Sequence, residues 1–263
     1  MQILEYAATS SNWSGDLTAM HEQQAGRYHP IDCASRALAV RSMATLSATK
    51  PIVLDVGCSS GFVLEDLAKA IPQVQLIGAD YIREPLEDLA RRIPNVPILQ
   101  FDLRDCPLPD ACVDGVTCLN VLEHIDADER ALMSIHRILR PGGICHLEVP
   151  AGPELYDIYD EHLMHHRRYR LRDLVNMARR VGFEVEEATH LGFFIYPAFW
   201  ATKIRNRRKL ALPAEKKAHL VAQQIRSTRS SSIFGLCMSF ELLVGHAVSF
   251  PWGIRCVARL RKK

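Results

Sequence analysis

Several residues capable of chemistry stand where short apolar runs end. Val53-Leu54-Asp55-Val56 leads into Gly57-Cys58-Ser59-Ser60-Gly61, a Gly/Ser turn that carries an acid just before it. Glycines let a backbone approach a ligand closely, and a helix starting beyond the turn aims its N–H donors back at it. A nucleotide-like cofactor belongs at such a crevice, outside the carboxyl ends of the strands. Asp80, followed by Tyr81, ends Leu76-Ile77-Gly78-Ala79, and Asp102-Leu103 follows Phe101. Asn120 and Val121 open the run that ends in Glu123-His124, and His162, His165, His166, Arg167, Arg168 and Tyr169 crowd one polar stretch. A neutral imidazole takes a proton near neutral pH, which makes His124 and His165 candidate bases. Guanidinium forks suit an anionic acceptor, and they suit salt bridges equally well, so Arg167 and Arg168 carry both readings. The histidines have no carboxylate or cysteine partner at ligand spacing, and no metal is expected.

The elements that must position these groups follow from periodicity. Strands are expected at 52–56, 74–79, 97–101, 113–119, 144–149 and 183–189, with helices at 61–70, 84–93, 127–139 and 171–181 between them. Such alternation implies an α/β, Rossmann-like doubly wound parallel sheet with right-handed crossovers. A helical leader over 1–50, with its helix at 31–49, precedes it. Arg140-Pro141-Gly142-Gly143 is expected as a turn, and Gly182 as a helix C-cap. The region 197–250 reads as a helical insertion, basic and then apolar, before a last strand from Gly253. Glu241 and His246 interrupt the apolar run Ser232–Trp252, which argues for a packed or interfacial helix and against a membrane span.

In dinucleotide-binding domains the first glycine of GxGxxG falls where Asp55 stands, and a pyrophosphate must be held. This chain instead resembles the D-x-G-x-G-x-G motif of class I S-adenosylmethionine (SAM) dependent methyltransferases, with Ser59 at the middle glycine. Further motifs stand in that family's order: Asp80, Asp102, Asp114 to His124, and Leu139 to Gly143. The resemblance implies a seven-stranded sheet of order 3-2-1-4-5-7-6 with the last strand antiparallel, formed by a single domain over 1–263, and SAM as cofactor. It implies a cofactor site of Asp55, Val56, Gly57, Cys58, Gly61, Asp80, Tyr81, Asp102, Leu103, Asn120 and Val121, with Asp80 accepting from the ribose hydroxyls and Asp102 from the adenine amine. The His165-x-Arg167-Arg168-Tyr169 pattern resembles a type 11/12-like subgroup acting on small molecules, lipids or saccharide-linked acceptors. Arg36, 19 residues before Asp55, resembles the arginine that pairs with the SAM carboxylate in quinone-biosynthesis O-methyltransferases; an exposed helix arginine is the other reading.

Charge and composition bound the partners. Residues 201–263 hold 14 Lys and Arg against Glu215 and Glu241, whereas 1–200 hold 18 basic and 28 acidic groups. A basic segment on an acidic body points to an anionic acceptor or surface, or to a solvated helix face. The eight cysteines lack metal-ligand spacing and read as buried thiols, and the N-terminus does not look like an export signal, so a cytoplasmic location with peripheral membrane contact through 197–250 is expected. Three functions remain open at this point: an O-methyltransferase for a small-molecule, lipid or saccharide-linked acceptor, an RNA- or protein-modifying methyltransferase, and a SAM-binding module without catalysis. Aromatics for base stacking are sparse in the basic segment, which disfavours nucleic acid. The insertion is expected to cover the acceptor side of the site, so that its deletion spares SAM binding.

Overall fold

Short β-branched runs pair into a sheet because helices packed on both faces bury them completely. The structure is a computed structural model that describes residues 3–6, 26–229 and 231–263. Its strands are β1 (Leu4–Glu5), β2 (Ile52–Val56), β3 (Gln75–Asp80), β4 (Ile98–Gln100), β5 (Val113–Leu119), β6 (Leu139–Pro150), β7 (Phe183–Leu191) and β8 (Arg255–Lys262). They lie in the order β1-β4-β3-β2-β5-β6-β8-β7, with β8 antiparallel to both of its neighbours and the other pairs parallel. The expected seven-strand order is therefore present, with β1 as an eighth strand at the edge. Two residues have no readable periodicity; what forms β1 is the unpaired edge of β4, to whose Gln100 carbonyl the Tyr6 amide donates at 3.0 Å. Residues 7–25 of the expected leader lie outside the described residues. Arg140 to Gly143, expected as a turn, sits inside β6 as a register shift between the Val113–Leu139 and Gly115–Ile144 pairs.

Helices α1 (Pro30–Met43), α2 (Phe62–Ala70) and α3 (Arg83–Arg92) cover one face through Met43, Leu64, Leu67, Leu86 and Leu89. On the other face α4 (Asp128–Ile138) and, beyond the short α5 (Ile158–His162), α6 (Leu171–Val181) pack through Leu132, Ile135, Leu174 and Met177. Gly182 closes α6 at φ +111°, as its C-cap position requires. Between β7 and β8 stand α7 (Tyr196–Arg207), α8 (Ala214–Arg229) and α9 (Ser232–Val244). Phe199 of α7 and Met238 of α9 join Ile31, Ala34 and Leu38 of α1 in one apolar cluster, while Val221 and Ile225 of α8 pack on Ile158 of α5. Glu241, which interrupts the apolar run, is buried and accepts the Gly192 amide at 2.6 Å. Among the described residues no helix is long and apolar enough to cross a membrane. All eight cysteines are free thiols, five of them buried and Cys33, Cys112 and Cys237 half-buried.

Candidate active site

The carboxyl ends of β2 to β5 and the inner faces of α1, α7 and α9 enclose a cavity of about 1220 Å³. A pocket for one small ligand holds roughly 300–1,000 Å³, so this one has room for two molecules side by side. One half is built on the sheet and the other under the insertion.

On the sheet side Val56, Gly57, Cys58, Asp80, Tyr81, Asp102, Leu103, Asn120 and Val121 line the cavity, as does Arg36. Asp55 and Gly61 stand behind this wall. Gly57 and Gly61 both take φ +71°, and a Cβ on Gly57 would lie 2.4 Å from Val121 Cγ2. Ser59 adopts φ +42°, a region that costs an L-residue about 1–2 kcal/mol, which is why glycine suits this position. Asp55 is fully buried, accepts from the Thr117 hydroxyl at 2.6 Å, and has its carboxyl pushed up to about 7, chiefly by burial.

The turn's own hydrogen bonds discriminate between cofactors. The Cys58 amide donates to the Ala79 carbonyl at 3.0 Å, the Gly61 amide to Cys58 at 2.6 Å, and the Ser59 amide to Asp80 Oδ2 at 3.0 Å. Three donors of the turn are spent inside the protein, one of them on a carboxylate, and an anionic phosphate would meet that charge instead of free N–H groups. A phosphate-free cofactor with hydroxyls to present to Asp80 fits the donor set. Asp102 already accepts from Arg104 through its amide at 2.8 Å, Nε at 3.0 Å and Nη2 at 2.6 Å, leaving little of its lone-pair capacity for an adenine amine. Burial raises the Asp102 carboxyl, and the Arg104 bonds and charge outweigh that and hold it below its usual range. Arg36 is buried, contrary to the exposed reading; its Nε donates to Asp66 at 2.7 Å and its Nη2 to the Arg27 carbonyl at 2.8 Å. At the junction of the two halves Glu148, wholly buried, receives Ser35 and Arg255, each at 2.7 Å, and the Asn120 amide at 3.2 Å.

Under the insertion the charges are paired. Asp160 Oδ1 accepts from His165 Nδ1 at 2.9 Å and Arg168 Nε at 2.7 Å, and its Oδ2 from Lys203 Nζ of α7 at 2.9 Å. Lys203 also reaches Asp157 at 2.6 Å. Burial lowers His165 and outweighs the hydrogen bond that it donates to Asp160, so the ring is neutral near pH 7. Glu123 and His124 line the same space, with His124 edge-on to His165 at 4.7 Å between ring centroids. Neither oxygen of Glu123, which is wholly buried, has a hydrogen-bond partner among the described residues, and burial pushes its carboxyl up to about 8. One ligand atom from each of Glu123, His124 and His165 lies within 4.8 Å of the others, a grouping made in space that ligand spacing along the sequence does not show. These three residues could hold a cation or exchange protons. Glu123 was not singled out from sequence; an acid inside the apolar Val121-Leu122-Glu123 run was the available signal.

Two expected substrate contacts lie elsewhere. Arg167 pairs with Asp128 at 2.9 Å and donates to the Asp126 carbonyl at 2.7 Å, outside the cavity wall. Tyr169 is a core residue whose hydroxyl also reaches Asp128, at 2.8 Å. Adjacent residues on an extended chain point oppositely, so of Arg167, Arg168 and Tyr169 only Arg168 reaches the cavity. His162 and His166 bring no further ligand atom to the cluster.

Residues 54–147 match the family model described as a methyltransferase domain. With the sheet order and the donor set above, this part of the chain is similar to the class I SAM-dependent methyltransferases, a family whose cofactor is SAM. A Mycolicibacterium smegmatis protein named "Probable S-adenosylmethionine-dependent methyltransferase" is 33% identical over 144 residues, 54% of this chain and 54% of that protein. The chain thus spans about half the length, or less, of the curated relatives it matches. Among solved structures, a TehB-like SAM-dependent methyltransferase from Corynebacterium glutamicum shares the fold with a TM-score of 0.55 at 18% identity, covering 93% of this chain and 99% of that one. The cyclase SpnF shares it with a TM-score of 0.56 at 16% identity, over 86% of this chain and 81% of that one.

Proposed function

We propose that the protein methylates an oxygen of a small-molecule, lipid or saccharide-linked acceptor seated under the insertion, with His165 taking the hydroxyl proton. The observation that carries this reading is that Asp80 and His165, the latter bonded to Asp160, line one continuous cavity. SAM, when bound, supplies a methyl group on a positively charged sulfur. Val56, Gly57, Asp80 and Asn120 would hold it, and Arg36 is the cation available for its carboxylate. Positioning and exclusion of water then do most of the work. Asp160 fixes the His165 tautomer through Nδ1 and leaves Nε2 for the proton, in the manner of other carboxylate-oriented imidazoles. Protonated near neutral pH, Glu123 offers a hydrogen-bond donor beside it. Arg168 Nη2 has no protein acceptor among the described residues, which gives an anionic oxygen of the acceptor one guanidinium partner.

The test has two arms. Extracts incubated with the protein and isotope-labelled SAM should yield a labelled product by mass spectrometry. His165→Ala should then cut turnover by roughly 10²–10⁴-fold with calorimetric SAM affinity unchanged. Unaltered turnover would move the proton acceptor to His124 or make the target nitrogen or carbon. Firm SAM binding with no labelled product would favour a second reading, SAM binding without methyl transfer. An RNA target has less support, because Lys203, Lys217, Arg255, Arg259 and Arg261 of the basic segment are spent on acidic side chains.

A further inference from the structure

Helix α9 is apolar on both of its faces. Phe234, Met238 and Leu242 face inward to α1 and α7. On the outer face Ile233, Leu236, Phe240 and Leu243 stand at helical spacing and are 75%, 71%, 52% and 71% exposed. The patch continues through aromatic contacts: Phe240 meets Phe194 at 5.3 Å between ring centroids, and Phe193 links Phe194 to the exposed Trp252, each at 5.3 Å. A contiguous exposed apolar surface of this kind marks an interaction site.

Charge indicates what covers it. Helix α7, which packs on α9, carries exposed Trp200 and Arg205, and exposed Arg208 stands at its C-terminal end. Arg205, Arg208 and, beyond them, Lys209 and Lys216 have no ion pair among the described residues, although the rest of the segment's cations described above are neutralised. An apolar stripe with tryptophans and unpaired cations beside it is the pattern of a helix lying in a lipid–water interface. Ile233, the most exposed residue of the stripe, also lines the cavity, so the patch reaches the cavity mouth.

We infer that the outer faces of α9 and α7 dock the protein on an anionic lipid surface with the cavity mouth turned toward it. The docking stands on this surface alone; its consequence, an amphiphilic acceptor drawn from the membrane, rests on the methyltransferase reading. Co-sedimentation compares vesicles of pure phosphatidylcholine with vesicles of equal parts phosphatidylcholine and phosphatidylglycerol. The full chain should bind the anionic vesicles, and both Leu236→Glu/Leu243→Glu and Arg205→Glu/Arg208→Glu should weaken that binding by about tenfold or more. These side chains are exposed, so folding and SAM affinity, read by circular dichroism and calorimetry, should not move. Absent binding, or binding indifferent to the anionic lipid, overturns the inference. Loss of a concentration-dependent dimer in Leu236→Glu/Leu243→Glu without any vesicle binding also overturns it and makes the face a contact between copies. Failure of SAM binding leaves the vesicle result intact and counts only against the methyltransferase reading.

Discussion

Glu123 shows how a single buried acid couples the site to stability. Its carboxyl has no hydrogen-bond partner among the described residues, and burial raises it from 4.5 to about 8. Below the lower value both the folded and the unfolded chain hold the proton. As pH rises toward the upper value the unfolded chain loses it first, so stability falls across that window. Glu123→Gln is neutral throughout and should lack this slope, gaining on the order of a few kcal/mol over the parent chain near the top of the window. Asp55, raised to about 7 by burial, adds a slope of the same sign and keeps the variant's profile from becoming flat. Urea unfolding across the window measures this; parallel profiles for parent and variant would mean that Glu123 has a partner in solution.

At the scale of elements, one side chain fastens the insertion to the loop that carries His165. Lys203 of α7, 3% exposed, neutralises Asp157 and Asp160 on the segment that carries His165. Removing one partner of a buried ion pair leaves the other uncompensated, at a cost of about 3–5 kcal/mol. Lys203→Met should lower the melting temperature accordingly, while Arg168 still holds Asp160 in place. The Lys203 charge also lowers His165, so its loss raises that group and moves the acid limb of the turnover profile to higher pH. A purely structural lysine would shift stability and leave the limb where it was.

For the whole molecule, the insertion is both lid and core. Deletion of 197–250 was expected from sequence to spare SAM binding, but the packing argues otherwise. Phe199, Phe234, Met238 and Leu242 cover Ile31, Ala34 and Leu38 of α1, and Glu241 satisfies the amides that end β7. Without them several apolar side chains and buried donors would face water, and α1 also carries Ser35 and Arg36 of the cavity wall. The deletion should therefore lose SAM affinity and cooperative unfolding together. Calorimetry finding parent-like SAM binding in the truncated chain would show the lid to be separable.

What the sequence determined by itself was what local pattern encodes. Short apolar runs and period-3.6 repeats placed β2 to β8 and their crossovers within a few residues, apart from the start of β6, and Asp80, Gly57 and Asn120 fell at strand ends where chain topology alone makes a crevice. Tertiary structure alone decided the rest, because it depends on distance between residues far apart in the chain. Glu123 and His124 meet His165 only when the segment after β6 folds back over β5. Lys203, one cation in a basic run, becomes a buried clamp because α7 lands on α5, while its neighbours Arg205 and Arg208 stay in solvent. Arg167 and Arg168 look alike in sequence; the direction of the backbone turned one to Asp128 and the other to the cavity. Charge along a chain is a property of residues, but which charges are paired, buried or free is a property of packing.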